Sequence, residues 1–220
     1  MGELALIVLE GIDAAGKATQ AKLLAGRLRK KGRKTVLMHF PSYGTPSGNL
    51  VASYLKGEFG EREKVSRKFA AMLYALDRYS QKKKLEGLLK KGFAVILDRY
   101  TQSNLAYASA DLKGKKRREL IEWIERLEKG LPKANAVGFL DVPPQQSAKL
   151  FGKRKAKIKG VTKDIHEKDF EYAKRVYKNY SALAREKKWV VVKCVSNGRL
   201  KPKEEIAEAL FLALSRRKAI

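Results

Sequence analysis

A short segment near the amino terminus combines two glycines and a lysine at a spacing suited to phosphate. It reads Gly11-Ile12-Asp13-Ala14-Ala15-Gly16-Lys17, the pattern G-x-x-x-x-G-K, and is followed by Ala18 and Thr19. Successive backbone N–H groups of such a loop form a cradle for an anion, and the lysine reaches the β- and γ-phosphates of a nucleotide. The segment therefore predicts an ATP site formed by residues 11–19.

The position after this lysine lacks the hydroxyl that usually ligates magnesium in the pattern. It holds Ala18, and Thr19 comes one position too late to replace it. Because Mg²⁺ keeps several waters and often takes only one or two protein carboxylates, it can be held without this hydroxyl. Asp13 in the loop and Asp98 after a later apolar run are the candidate ligands.

Polar residues also follow Ala94–Leu97, an apolar run with the length and character of a buried strand. Asp98 and Arg99 come directly after it, and Asn104 and Tyr107 lie slightly further on. Ligands of open α/β sheets bind at the carboxyl ends of strands. A guanidinium has the fork geometry that holds a phosphate. We therefore expect a second phosphate site at Arg99.

An amphipathic segment upstream carries an aromatic residue and an arginine one turn apart. Tyr74 and Arg78 stand at positions i and i+4, which places them on the same helix face. A ring that stacks and a guanidinium that donates hydrogen bonds together suit a planar base. Core packing of Tyr74 is the alternative, and these two residues alone do not decide between the interpretations.

Short apolar runs alternate with amphipathic segments along the chain. The strand-length runs are Leu4–Leu9, Thr35–Phe40, Ala94–Leu97, Ala136–Leu140 and Trp189–Val195. The segments with helical periodicity are Lys17–Lys31, Asn49–Leu55, Glu63–Lys90, Lys115–Glu128, Glu167–Lys187 and Lys203–Arg216. This alternation predicts an α/β fold in which helices flank a doubly wound parallel β-sheet of about five strands. We expect a single domain over residues 1–220.

Residues 143–163 depart from this alternation. They contain two prolines and seven lysines or arginines, but no acidic residue. The segment is interpreted as a mobile basic loop, either a lid over an anion or a plain solvated loop. The six cations between Lys153 and Lys163 would repel one another unless an anion visits them, which favours a lid.

The chain as a whole is strongly basic, with a net charge of +26 over 220 residues. Its Lys and Arg residues are widely spread, which favours a basic surface over a dedicated nucleic-acid site. Nucleic acid is thus not a required partner, although the charge favours non-specific affinity for it. A lone cysteine, Cys194, fits a reducing compartment. Because we find neither a signal-peptide pattern nor a membrane-length apolar run, we expect a cytoplasmic protein without a membrane partner.

Taken together and in order, these motifs resemble the thymidylate kinase family over nearly the whole chain. The segments similar to that family are the phosphate loop Glu10–Lys17, the turn Phe40-Pro41, the aromatic-x-x-x-Arg motif Tyr74–Arg78 and the distinctive signature Asp98–Tyr107. Leu140-Asp141-Val142 resembles the strand that leads into the family's lid, and Asp164-Ile165-His166-Glu167 looks like the end of that lid. The resemblance therefore places a lid at about residues 143–166.

The resemblance implies the fold of P-loop nucleoside monophosphate kinases, with transfer of the γ-phosphate of ATP to dTMP, Mg²⁺ as cofactor, and a homodimer. The dTMP site that it implies consists of Asp13, Phe40, Pro41, Tyr74, Arg78, Arg99, Asn104, Tyr107 and Asp164. In this family the equivalent of Arg99 holds the acceptor phosphate, that of Asn104 touches the base, and that of Tyr107 crowds the sugar 2′ position. The implied catalytic residues are Lys17, Asp13, Arg99 and the lid residue Arg154.

The chain departs from the family pattern at three places, and alternatives stay open. Ala18 replaces the usual hydroxyl, Tyr74 stands where Phe is common, and the lid uses mainly lysines where relatives with a basic lid tend to use arginines. One alternative is a kinase of another nucleoside monophosphate such as dUMP. The other is a P-loop protein that binds nucleotide or nucleic acid without transferring phosphate. The charge and Ala18 favour this second alternative, whereas the complete acceptor set argues against it.

Overall fold

A parallel five-stranded sheet forms the centre of the protein in the computed structural model, which describes residues 5–151, 166 and 169–220. The strands are β1 (Leu6–Glu10), β2 (Thr35–His39), β3 (Ala94–Asp98), β4 (Ala136–Asp141) and β5 (Val190–Lys193), in the spatial order β2-β3-β1-β4-β5. Every residue of β1 is buried, as expected for a central strand covered by helices on both faces. The predicted fold class is therefore confirmed.

Helices cover both faces of this sheet. They are α1 (Lys17–Lys30), α2 (Pro46–Lys56), α3 (Arg67–Ser80), α4 (Lys82–Lys90), α5 (Thr101–Ala108), α6 (Gly114–Leu127), α7 (Pro144–Phe151), α8 (Phe170–Glu186) and α9 (Lys203–Arg216). A small antiparallel hairpin, β6 (Val195–Ser196) and β7 (Arg199–Leu200), precedes α9. In the described part of the chain, no helix is long and apolar enough to span a membrane.

The prediction of one long helix over Glu63–Lys90 was wrong. Two helices, α3 and α4, occupy this segment and meet at Gln81, which ends the first and begins the second. The Ser80 hydroxyl donates to the backbone carbonyl of Asp77 at 2.8 Å. Side chains of this kind compete with the helical backbone ladder, so Ser80 favours a helix end at this point.

The expectation of a loop from residue 143 onward also needs correction. Its first part is the helix α7, which Pro144 opens. Proline is favoured at the first helical position, because its fixed φ suits a helix and its missing N–H would be unpaired there anyway. The basic stretch Lys153–Lys163 that prompted the lid prediction lies outside the described residues.

A turn between β2 and α2 carries the Phe40-Pro41 pair and is fixed against α3. The carboxylate of Asp77 accepts hydrogen bonds from the backbone N–H of Ser42 at 2.8 Å and from the Ser47 hydroxyl at 3.0 Å. A Cβ at Gly48 would lie 2.0 Å from the carbonyl oxygen of Ser42. Glycine is therefore required at this position for α2 to approach the turn so closely.

Candidate active site

A cavity of about 200 Å³ opens beside the carboxyl ends of β1 and β3, where the alternation of strands and helices predicts ligand binding. Eight of the nine residues that the sequence assigns to dTMP line it: Asp13, Phe40, Pro41, Tyr74, Arg78, Arg99, Asn104 and Tyr107. The ninth, Asp164, and the catalytic candidate Arg154 lie outside the described residues. The fold therefore brings together side chains that are up to 94 positions apart in the chain.

Arg99 is the most highly connected of these residues. It follows β3 with a left-handed backbone (φ 69°), a conformation that is unusual for a non-glycine residue and common at functional sites. Its guanidinium donates to Asp13 at 2.9 Å and to Tyr107 and Ser103 at 3.2 Å each. Burial alone would lower the pKa of Arg99, but Tyr107 and Asp13 hold it above its usual value. Arg99 is thus a permanent cation, aimed and held before any phosphate arrives.

Asp13 joins the phosphate loop to this cluster. One carboxylate oxygen accepts from Arg99, and the other accepts from the Tyr107 hydroxyl at 2.7 Å. The backbone carbonyl of Asp13 accepts from the hydroxyl of Ser147 in α7. Burial raises the pKa of Tyr107 well above its usual value, so its hydroxyl stays protonated and donates. The carboxylate of Asp13 is therefore oriented toward Arg99 and Tyr107, and a metal ion would have to share its oxygens with these two side chains.

Aromatic rings close the cavity on the side facing α2 and α8. His166 packs against Tyr107 and Tyr172, with ring centroids 5.5 Å apart in both pairs. Tyr74 is half-buried and meets Tyr54 edge to face at 6.1 Å. Tyr74 thus packs against a neighbouring ring and also lines the cavity, and its stacking on a base stays a prediction.

The phosphate loop lies between β1 and α1, as the sequence predicts. The Lys17 ammonium is buried and donates to the carbonyls of Gly11 at 3.1 Å and Ile12 at 2.8 Å. Gly16 precedes α1 in the left-handed conformation (φ 84°), which glycine adopts without strain. The loop therefore lies where the sequence predicts a phosphate cradle, and its binding of a nucleotide stays a prediction. The side chains of Ile12 and Ala15 belong to the hydrophobic core, so these residues would offer only their backbone N–H groups.

The two candidate metal ligands, Asp13 and Asp98, do not both line the cavity that the predicted dTMP residues line. Asp98 is half-buried at the end of β3, where it pairs in register with Leu9 of β1, but it does not line the cavity. Ala18 and Thr19 are both exposed at the start of α1. Within the described ranges, no group of three or more His, Cys, Asp or Glu side chains could hold a metal ion. The metal role of Asp13 and Asp98 stays a prediction.

Comparison with known proteins agrees with this arrangement. The family model described as Thymidylate kinase matches residues 9–209. The chain belongs to the thymidylate kinase family. It is 35% identical over 204 residues to a thymidylate kinase of Mycobacterium tuberculosis, covering 89% of this chain and 94% of that protein. It is 38% identical over 183 residues to a probable thymidylate kinase of Thermococcus kodakarensis, covering 81% and 83% of the two chains.

A solved structure extends the agreement to the three-dimensional fold. The structure of a thymidylate kinase from Candida albicans has a TM-score of 0.77 to this chain at 26% identity, and the alignment covers 98% of this chain and 92% of that one. Thymidylate kinases are ATP-dependent nucleoside monophosphate kinases, and so is this chain. A non-catalytic binding protein is not favoured.

Two acidic residues of this thymidylate kinase family member were not predicted as part of its site. Glu10 is fully buried and accepts from the backbone N–H groups of Tyr100 at 2.9 Å and Ser103 at 3.1 Å. It thereby holds the segment that carries Arg99. Glu128 is buried beside Arg78 and Asn104. A carboxylate that ends an otherwise apolar strand is a signal that could have identified Glu10. No comparable local signal marks Glu128.

Proposed function

We propose that this protein transfers the γ-phosphate of ATP to dTMP and forms dTDP. The observation that carries the proposal is the single cavity that gathers eight predicted acceptor residues beside Asp13 of the phosphate loop. Phosphoryl transfer depends mainly on in-line placement and charge neutralisation. A cavity that holds an acceptor next to a cradle for a donor meets the first of these needs.

On the acceptor side, Arg99 would bind the phosphate of dTMP, and Asn104 and Arg78 would contact the base. Tyr74 would stack on the base. Tyr107, with its hydroxyl fixed on Asp13 at 2.7 Å, would lie against the sugar. A hydroxyl held at this point supports selection of deoxyribose, because a 2′-hydroxyl would have to compete for the same space.

On the donor side, Lys17 would release the carbonyls of Gly11 and Ile12 and bind the β- and γ-phosphates instead. Residues 11–19 would supply backbone N–H donors. Arg154 is the residue that we propose for the cation over the γ-phosphate, on the strength of the basic sequence around it. The lid role of this sequence remains part of the proposal.

Magnesium is the cofactor that fits the oxygen ligands near the loop. Asp13 follows β1 and Asp98 ends β3, and these strands are neighbours with Leu9 opposite Asp98. When bound, Mg²⁺ would supply positive charge that offsets the charge of the transferring phosphate. We propose that Asp13 and Asp98 would hold the hydrated ion, with Asp13 also accepting a hydrogen bond from Arg99. Carboxylates around a largely hydrated ion are typical of Mg²⁺ sites.

A homodimer in the cytoplasm completes the proposal. The helix α3 exposes Met72, Leu76 and Tyr79 at a spacing that places them in one stripe. An apolar stripe on a charged surface supports a protein contact, and analytical ultracentrifugation would test it. Cys194 is a free thiol, which supports a reducing compartment.

A coupled assay with ATP, magnesium and each deoxynucleoside monophosphate tests the proposed activity. We expect turnover with dTMP and weaker turnover with dUMP, which lacks only the 5-methyl group of thymine. A preference for a different acceptor would replace dTMP in the proposal. Salt-sensitive DNA binding together with no turnover of any monophosphate would overturn the proposal in favour of a binding protein.

A further inference from the structure

The cavity that we propose binds dTMP is called the acceptor cavity below. Glu128 lies behind it and contacts two of the residues that line it, Arg78 and Asn104. It directly follows the last residue of α6 and is buried. A single carboxylate oxygen, Oε1, accepts from Nη1 of Arg78 at 2.5 Å and from Nδ2 of Asn104 at 3.2 Å. Glu128 itself does not line this cavity. Any effect on substrate must therefore pass through Arg78 and Asn104.

This placement of a carboxylate is costly for the protein. The carboxyl end of a helix carries a partial negative charge, which disfavours an acid there. Burial raises the pKa of the Glu128 carboxyl, and the Arg78 charge only partly opposes this effect. The second oxygen, Oε2, is buried without a hydrogen-bond partner in the described part of the chain. Local rules are broken in this way mainly at functional sites.

Glu128 and the backbone carbonyl of Ala71 together determine which end of the Asn104 amide faces the cavity. Nδ2 of Asn104 lies 3.1 Å from the carbonyl oxygen of Ala71 and 3.2 Å from Glu128 Oε1. Both neighbours are acceptors, so the end of the amide between them must be the NH₂ group. Both amide hydrogens are thereby used. The only hydrogen-bonding atom that Asn104 has left for a ligand is Oδ1, an acceptor.

Arg78 supplies the complementary group. A guanidinium can only donate hydrogen bonds, and Nε of Arg78 has no hydrogen-bond partner among the residues described. The ion pair with Glu128 holds this buried cation in place. The cavity wall therefore combines donors from Arg78 with an acceptor from Asn104. This matches thymine or uracil, which offer O4 as an acceptor and N3–H as a donor, and opposes cytosine, which offers a 4-amino donor.

We propose that Glu128 is a positioning residue that fixes the hydrogen-bond polarity of the base site, so that the site selects 4-keto over 4-amino pyrimidine monophosphates. The inference rests on the proposed dTMP kinase function. Glu128 holds the NH₂ group of Asn104 away from the base and holds Arg78 as a paired donor. Without its charge, Asn104 keeps its bond to the Ala71 carbonyl but loses its bond to a carboxylate, so its amide rotates more readily and presents NH₂ to the ligand.

The variant Glu128→Gln tests this role, because it keeps the size of the side chain and adds an NH₂ group that can bond to Asn104 Oδ1. We measure kcat/KM for dTMP, dUMP and dCMP. The dTMP-to-dCMP ratio should fall about tenfold or more, the effect of one mismatched buried hydrogen-bonding pair. The loss should appear mainly in KM for dTMP, while KM for ATP stays within about twofold. Glu128→Asp keeps the charge and should restore most of the ratio.

A matched control lies one turn earlier on α6. Glu125 is exposed and pairs with Lys187, so Glu125→Gln makes the same chemical change away from the cavity and should leave the ratio unchanged. An unchanged ratio in folded Glu128→Gln would overturn the proposal. So would an equal loss for all three acceptors together with a raised KM for ATP, because that pattern indicates general damage.

The unaltered protein provides a second measurement if Glu128→Gln does not fold. The side-chain amide resonances of Asn104, identified by their loss in Asn104→Ala, should both show slow exchange with water. Fast exchange of either hydrogen would overturn the proposal. An unaltered protein without dTMP turnover would instead refute the proposed function, so the two failures are distinguishable.

Discussion

The acceptor cavity and the phosphate loop hold their cations in different ways. In the cavity, Arg99 reaches Asp13, which is 86 positions away, and Arg78 reaches Glu128, which is 50 positions away. In the loop, the Lys17 ammonium donates to the carbonyls of Ile12 and Gly11, which lie five and six positions back. The guanidiniums of the cavity are thus held by carboxylates that are distant in the chain, whereas the ammonium of Lys17 donates to backbone carbonyls close to it in the chain.

This difference indicates a division of labour between the two regions. Preorganised charges and dipoles need no rearrangement when a ligand binds, so the cavity is suited to selecting its substrate. Lys17 must exchange two carbonyl oxygens for phosphate oxygens, so its contacts change as the donor binds. We therefore expect substitutions in the cavity to change acceptor selectivity, and substitutions in the loop to change the rate with every acceptor.

The largest effect should follow from Lys17→Ala. Loss of the buried ammonium removes the cation at the transferring phosphates, and kcat/KM should fall by about 10³-fold for dTMP and dUMP alike. A coupled assay measures the rate, and thermal unfolding checks that the variant stays folded. Lys22→Ala, an exposed lysine of α1, serves as the control. Near-normal turnover in Lys17→Ala would refute the assignment of the loop.

A smaller and more selective effect should follow from Tyr107→Phe. The change removes the hydroxyl that bonds to Asp13 and Arg99, so KM for dTMP should rise about 10-fold while KM for ATP stays nearly constant. Steady-state kinetics with each substrate varied in turn separates the two constants. Tyr177→Phe makes the same change outside the cavity, where the hydroxyl bonds to Asp141. If KM for ATP alone moves in Tyr107→Phe, the two regions are not separate in function.

The smallest effect should come from restoring a hydroxyl at position 18. Ala18→Thr offers Mg²⁺ one more oxygen, and the magnesium concentration for half-maximal rate should fall by about 2- to 10-fold, as for one contact worth about 0.5–1.5 kcal/mol. Ala18→Val has the same shape without the oxygen and isolates the hydroxyl from steric effects. Equal responses of the two variants would show that the loop does not approach the metal at this position.

The contrast between local and distant contacts also explains what the sequence could predict. The phosphate loop, the strands and α9 follow from short patterns, and the boundaries of α9 are those predicted. The residues that line the cavity could be predicted because their motifs are distinctive. The contacts among them could not be predicted, since Glu10 meets Ser103 from 93 positions away. Glu128 was predicted only as a helix end, because nothing in its neighbourhood indicates Arg78 or Asn104.

The helix boundaries show a similar limit. The periodicity of Glu63–Lys90 is continuous, so it cannot reveal that α3 ends at Ser80 and that α4 begins at Lys82. In the segment after residue 143, the loop was predicted from the dense positive charge, although Pro144 favours the start of a helix there. In both places the deciding interaction is a single side chain or backbone preference, which a pattern averaged over many residues does not resolve.

The close approach at Gly48 has a consequence for how this protein can change over generations. A Cβ there would lie within 2.0 Å of a backbone oxygen, and a backbone atom cannot move aside as a flexible side chain can. Every residue other than glycine adds this atom, so any substitution at position 48 must displace the backbone of the turn. A change at position 48 would therefore have to be accompanied by a shift of α2 or of the bend that carries Phe40 and Pro41.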